Sequence, residues 1–214
     1  MPSKNDMLAL IAHTGQALAN GKRLEVLELL AQHPRGVNAL AALAQLKVST
    51  VSAHLRVLRE AGLVTSRREG THVIYDLAGE DVAALLATLM DVAERHRATV
   101  RDARAQYLPE ADAVTIDQLA RMREAGQVMV LDVRPTDEFA AGHLPGAVNV
   151  PLAELPMRAP DIPEDVAVVV YCRGRYCALS HEARRVLTAH GRTVRILPAG
   201  VADWHLRSRR HVAS

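Results

Sequence analysis

AVVVYCRGRYC, residues 167 to 177, decides how the second half of this chain is read. Ala167 to Tyr171 is an unbroken apolar, β-branched run, the pattern of a strand buried on both faces in a parallel sheet. Cys172 follows at once, then Arg173-Gly174-Arg175-Tyr176-Cys177, and a helical pattern starts near Tyr176 and runs to about His190. In open parallel sheets, functional groups collect just beyond the strand C-termini. Cys172 is therefore placed where a working side chain is expected. Loop N–H groups, a helix N-terminus and two arginines all favour an anion, so the loop is expected to lower the thiol pKa. A structural cysteine is more often sunk within a strand.

Strand and helix alternate on both sides of this stretch. Apolar segments at Val114 to Ile116, Val128 to Val133, Val166 to Tyr171 and Thr193 to Leu197 are separated by helical patterns at Asp117 to Ala125, Thr136 to Ala141 and Tyr176 to His190. This predicts an α/β domain with a mainly parallel sheet.

The 214 residues suit two domains, divided at 1–108 and 109–214, each able to bury its own core. Hydrophobic residues at 49% and charged residues at 23% exclude a disordered or fibrous chain. No apolar run is long enough to span a bilayer, and the N-terminus lacks a signal-peptide pattern, so a cytoplasmic protein with no membrane partner is expected. Cys172 and Cys177 are the only cysteines and lie in one loop, which fits thiol chemistry in a reducing compartment better than a stapling disulfide.

The net charge of +2 does not announce nucleic-acid binding, but its distribution is uneven. Between residues 47 and 72, Lys47, Arg56, Arg59, Arg67 and Arg68 face only Glu60 and Glu69. A helical pattern from Ala17 to Gln32 stops at His33-Pro34-Arg35-Gly36; Val37 to Leu46 forms a second short helix, and a third runs from Ser49 to about Ala61. Val51, Leu55, Leu58 and Gly62 share one face of the third helix. Ser49, Ala53, Arg56 and Glu60 share the other, with Thr50, Ser52 and His54 at its borders. Small polar groups and an arginine suit a major groove, although an ordinary amphipathic helix has the same spacing. Leu63 to Leu77 adds a hairpin tipped by Arg67 and Arg68, which can neutralise phosphates. A helix-turn-helix followed by such a hairpin is a winged helix. Gln45 stands where this turn often has glycine, and Lys47 where a capping Ser or Thr is usual. Asp81 to Tyr107 reads as one long helix, suited to pairing with a second copy of itself or to linking the two halves.

The segments ALANGKRLEVLELL, STVSAHLRVLREAGLV and SRREGTHVIYDL resemble the ArsR family of bacterial repressors over about residues 15 to 78. The resemblance implies a homodimer presenting two recognition helices to a pseudo-palindromic double-stranded operator. The metal-sensing cysteines of many such repressors are missing from Asn38 to Leu46. His96, Asp91 and Glu94 alone do not make a ligand set, so neither a metal nor a cofactor is expected.

VLDVRPTDEFAAGHLPGAVNVP (130–151), CRGRYC (172–177) and PAGVADW (198–204) resemble the rhodanese domain over about residues 112 to 208. By that resemblance Cys172 takes a sulfane sulfur from thiosulfate, a persulfide or a polysulfide and holds it as a persulfide. Arg173, Gly174, Arg175 and Tyr176 then form the cradle. Asp132 and Arg134 match the family's Asp-x-Arg and serve as support, Gly142, His143 and Gly146 as fold determinants, and Trp204 as a packing anchor. Related phosphatases use Cys-x5-Arg, but the sixth residue after Cys172 is Ala178. Cys177 reads either as a resolving thiol or as a small buried residue; a metal site of Cys172, Cys177 and His181 leaves a fourth ligand unexplained.

Together these features imply a transcriptional regulator, expected to be a repressor, that senses or carries reactive sulfur. The alternatives are an active sulfurtransferase with an attached DNA-binding domain and a metal-responsive repressor with an inactive rhodanese domain.

Overall fold

The computed structural model describes residues 2–109, 112–126 and 128–205. The chain divides into two compact units, Met1–Leu89 and Met90–Ser214.

The first unit opens with α1 (Lys4–Leu18), whose N-terminus is closed by reciprocal hydrogen bonds between Ser3 and Asp6. Asn20 then caps α2 (Gly21–Leu30), its side-chain oxygen accepting from the Lys22 and Arg23 amides at 3.0 and 3.1 Å. The single helix expected from Ala17 is thus broken at 19–20, because Asn20 is extended and offers its side chain to the next helix. Arg35–Gly36 form a two-residue strand β1, followed by α3 (Val37–Leu43) and α4 (Val48–Glu60). The wing is β2 (Val64–Glu69) and β3 (His72–Leu77), joined at Gly70-Thr71 and paired antiparallel from Val64 with Leu77 to Glu69 with His72. β1 joins the other edge of β3, so the segment expected only to stop a helix also anchors the wing.

Leu27, Leu40, Val51, Leu55 and Leu58 are fully buried and form the centre of this unit. Each contributes roughly 1.5–3 kcal/mol by leaving water. Gly62, at a φ of +73°, ends α4, and Leu63 N–H returns to the Leu58 carbonyl at 2.9 Å, which turns the chain into the wing.

The expected long helix is two helices, α5 (Glu80–His96) and α6 (Ala98–Tyr107). Arg97 has extended backbone angles (φ −123°, ψ 104°), and α6 buries none of its residues. No apolar stripe continues past Val92 and Ala93 to hold the two segments in line. Arg104 instead lies 3.7 Å from Glu94, across the break.

The second unit is an α/β fold: α7 (Ile116–Glu124), β4 (Val128–Asp132), α8 (Thr136–Ala141), β5 (Val148–Asn149), α9 (Leu155–Arg158), β6 (Ala167–Tyr171), α10 (Leu179–Ala189) and β7 (Val194–Ile196). The four strands run parallel in the order β5-β4-β6-β7. Buried groups pack on both faces, Leu131, Val168, Val170 and Leu187 on one and Leu119, Val130, Val169 and Leu197 on the other. This explains the unbroken apolar reading of β6. The strand expected at Val114 to Ile116 is an isolated bridge from Ala113 to Ile196, because Thr115 caps α7 and starts the helix at Ile116. Trp204 packs against the second cluster, as an anchor should. Residues 206–208 of the rhodanese-like segment lie outside the described residues.

Candidate functional site

Cys172 stands one residue beyond β6, at the C-terminal edge of the sheet. The segment after it runs to Ala178 before α10 begins at Leu179, three residues later than the sequence pattern placed the helix. The loop therefore closes over its own first residue. Cys172 is 1% exposed. Its sulfur lies 3.3 Å from the Cys177 carbonyl and 3.3 Å from the Ser180 hydroxyl.

The two thiols are shifted in opposite directions. Burial pushes the Cys172 thiol well up, and Cys177 adds to the rise, against hydrogen bonds from the Ser180 hydroxyl and amide. Cys177 is brought down to about 6. The Cys172 thiol donating to it is the largest cause. Burial opposes this, while the Leu179 and Arg173 amides and the Arg173 charge assist. The proton is held more tightly on Cys172, and negative charge forms more readily on Cys177. The anion-holding environment expected at Cys172 is thus centred five residues further on, because the late start of α10 turns the Leu179 amide toward Cys177.

The loop arginines are held by carboxylates. Arg173 donates to both oxygens of Glu138, from Nε at 3.1 and 3.0 Å and from Nη2 at 2.7 Å, and Glu138 is fully buried in α8. Arg175 donates to Asp91 at 2.5 Å and lies 3.7 Å from both Glu94 and Asp203. Tyr176 donates its hydroxyl to Glu94 at 2.6 Å; burial, assisted by this bond, pushes its pKa up. Asp91 and Glu94 belong to the last turns of α5, within the second unit. On the other side, a Cβ added at Gly200 would sit 2.1 Å from the Arg173 carbonyl oxygen. Only glycine lets the 198–204 segment come this close to the loop.

Asp132 and Arg134 form a buried pair below the loop, with Nη2 to Oδ2 at 2.6 Å. Arg134 also reaches the Gly142 carbonyl at 2.7 Å, and the Tyr171 hydroxyl donates to Asp132 at 2.5 Å while accepting from the Leu144 amide at 3.1 Å. These bonds tie the end of β4, the 142–144 turn and the end of β6 together. None of these bonds reaches the Cys172 sulfur.

Glu138, Ser180, Asp91, Glu94 and Asp203 were not legible as parts of the site. Their only sequence signal is an acid or hydroxyl in a helix, and the fold alone brings them to the loop. Among the described residues, no group of three or more His, Cys, Asp or Glu is gathered as a metal site.

In the first unit, the candidate DNA-reading residues lie on α4 and on the wing. Ser49, Ser52, Ala53 and Arg56 on α4 are exposed, and Thr50 and His54 are half-buried. Gln45 takes the left-handed conformation (φ +53°) that makes the helix-turn-helix turn, and Lys47 precedes α4 without a side-chain cap. Burial, with the charge of Arg23, pushes the His54 pKa down, which favours the neutral ring. Arg67 and Arg68 are exposed on the wing, and Arg67 is steadied by Glu69 at 2.8 Å and Asp76 at 3.7 Å.

The chain matches the model of bacterial regulatory proteins of the arsR family over residues 20–66 and that of the rhodanese-like domain over residues 115–207. It is 47% identical over 205 residues to the HTH-type transcriptional regulator Rv0324 of Mycobacterium tuberculosis, covering 95% of this chain and 90% of that protein. It is 30% identical over 95 residues to a sulfurtransferase of Allochromatium vinosum, covering 44% of this chain and 86% of that protein. Among solved structures, it is similar to the homodimeric winged helix-turn-helix DNA-binding domain of Mb0332 from Mycobacterium bovis. That similarity has 46% identity and a TM-score of 0.43, and covers 45% of this chain and 90% of that one.

Proposed function

Because the chain belongs to the ArsR family of transcriptional regulators and carries a rhodanese-like domain behind its winged helix, we propose that it is an operator-binding repressor controlled by reactive sulfur at Cys172. The observation that carries this reading is the thiol pair at the strand C-termini, in which the Cys172 sulfur lies 3.3 Å from the Cys177 carbonyl and the pKa of the Cys177 thiol is brought down to about 6. Sulfur transfer needs Cys172 as an anion, and Cys177 is placed to take its proton. The Cys172 sulfur then attacks a sulfane sulfur of a polysulfide, forming a persulfide and displacing a polysulfide one sulfur shorter. The released proton goes to the departing sulfur.

The working form is a homodimer in the cytoplasm. Met7, Leu8, Leu10 and Ile11 on α1 are 53%, 51%, 74% and 67% exposed, and Leu85, Leu89 and Val92 on α5 are exposed too. Apolar side chains clustered at this density on two helices call for a partner surface, and a second copy supplies the same two helices. A change in the loop is felt first by Asp91 and Glu94, which hold Arg175 and Tyr176.

The test is release of the operator by inorganic polysulfide at fixed salt. The wild-type chain should release DNA and Cys172→Ser should not; equal release by the two overturns the reading. A second reading, active sulfurtransfer, draws on the similarity to the Allochromatium vinosum protein. Catalytic turnover of thiosulfate with cyanide supports it, whereas stoichiometric persulfide formation without turnover favours the sensor.

A further inference from the structure

The geometry points to Cys177 as the thiol that resolves a sulfur-loaded Cys172, closing a disulfide within the loop and expelling the captured sulfur as hydrosulfide. This inference rests on the proposed persulfide chemistry and deepens it. It makes the lasting signal a covalent link across the loop rather than the persulfide itself.

Three observations lead here. The Cys172 sulfur lies 3.3 Å from the Cys177 carbonyl, and the Cys177 N–H donates to the Gly174 carbonyl at 3.2 Å, so the loop folds back and brings the second cysteine beside the first. Cys172 is 1% exposed, and an external thiol must open the loop to reach sulfur held there, whereas Cys177 already belongs to that loop. Cys177 is only partly buried and sits among charge-stabilising groups, namely the Arg173 and Leu179 amides and the Arg173 guanidinium. Charge held in this way keeps Cys177 a thiolate near neutral pH, the state from which it attacks.

The step balances. The Cys177 thiolate attacks the inner sulfur of the Cys172 persulfide; the bond between the two cysteine sulfurs forms and the bond to the outer sulfur breaks. Hydrosulfide leaves with the electron pair of the broken bond. The sulfane sulfur from the polysulfide is the oxidant, reduced to hydrosulfide, and the two cysteines are oxidised to a disulfide.

Closure also changes what the loop presents. The charge on Cys177 disappears, and with it one of the groups that face Arg173, which then has Glu138 as its nearest anion. The new covalent link spans Arg173 to Tyr176, the segment that carries the bonds to Asp91 and Glu94. Formation of the disulfide therefore pulls on those bonds.

The experiment treats the full-length chain with inorganic polysulfide, blocks free thiols, digests with trypsin and reads masses. Trypsin cuts at Arg173 and Arg175, so the disulfide appears as a cross-link between the peptide ending in Cys172-Arg173 and the one beginning Tyr176-Cys177. The wild type should give this cross-link, with the loss of two hydrogen atoms, together with released hydrosulfide. Cys177→Ser should instead retain one extra sulfur atom on Cys172. A wild type that keeps the extra sulfur on Cys172 without cross-linking overturns the inference and leaves the persulfide reading standing. Extra sulfur on Cys177 in Cys172→Ser, with none on Cys172 in Cys177→Ser, overturns the assignment of roles. No sulfur uptake and no cross-link in any of the three chains sinks both.

Discussion

Arg173, the residue that follows the candidate nucleophile, lies with its Nη2 2.7 Å from Oε1 of Glu138, a carboxylate with no exposure to solvent at all. A charge buried so completely persists only with its partner, so the pair determines where the first turn of the loop can go. Glu138→Gln takes from the largely buried Arg173 the carboxylate that holds both its Nε and its Nη2. The expected cost is about 2–4 kcal/mol, below the full penalty of a sealed pair because Arg173 keeps some water contact. Denaturant unfolding of the variant checks the number, and a shift under about 0.5 kcal/mol would show that the pair is dispensable.

Cys177 is expected to alkylate with iodoacetamide along a pH curve centred near 6, well below an ordinary thiol. Cys172→Ala removes the largest cause of that lowering, so the midpoint should rise toward the usual thiol range. The same shift bears on stability. A thiol lowered on folding adds stability that is fully present above its unfolded value of about 8.5 and is lost as pH falls through about 6. Quantitative mass spectrometry of the peptide beginning Tyr176-Cys177 reads the curve, and a midpoint near 8.5 in the wild type would contradict the thiolate assignment.

Gly200→Ala should displace the loop, because the added methyl meets the Arg173 carbonyl oxygen at 2.1 Å, a backbone atom that no side-chain rotation can move away. About 1–3 kcal/mol of destabilisation is expected, with faster alkylation of Cys172 as its cover loosens. Gly21→Ala is the control. It has nothing within 4 Å of the new atom and sits at the start of α2, so it should be neutral or slightly stabilising.

Gln45→Gly should stabilise the first unit by about 0.5–1 kcal/mol, since Gln45 adopts a left-handed backbone that costs a side chain with a Cβ and costs glycine little. Thermal or denaturant midpoints report the change. A loss of stability would mean that the glutamine side chain makes a contact outweighing its backbone strain.

On the DNA side, Arg68→Ala at the exposed tip of the wing should weaken operator and random duplex alike and lower the salt slope of binding by about one. Arg56→Ala, on the exposed face of α4, should weaken the operator more than random duplex. Filter or anisotropy titrations at several salt concentrations separate the two. Equal losses on operator and random duplex for Arg56→Ala would remove it from base reading.

Much of this protein was legible in one dimension because the signals were local. The apolar run ending at Tyr171, the stripe Val51, Leu55 and Leu58, and the Gly62-Leu63 stop each depend on neighbours a few residues away, and the observed β6, α4 and wing follow them. The failures have one cause in common. Where a helix begins or breaks depends on capping and on what the next turn finds to pack against, as Asn20, Arg97 and Thr115 show, and spacing does not report that.

The order of residues was sufficient to place Cys172 at the end of a buried strand, to set Cys177 in the same short loop, and to set a recognition helix ahead of a basic wing. Chemical type and spacing carry that much. Which sulfur holds the proton, which carboxylates neutralise Arg173 and Arg175, and why Gly200 must be glycine were decided only in three dimensions. Burial and charge pairing are set by residues far apart in the chain, and their energies exist only once Glu138, Ser180 and Arg173 have been folded around the same two thiols.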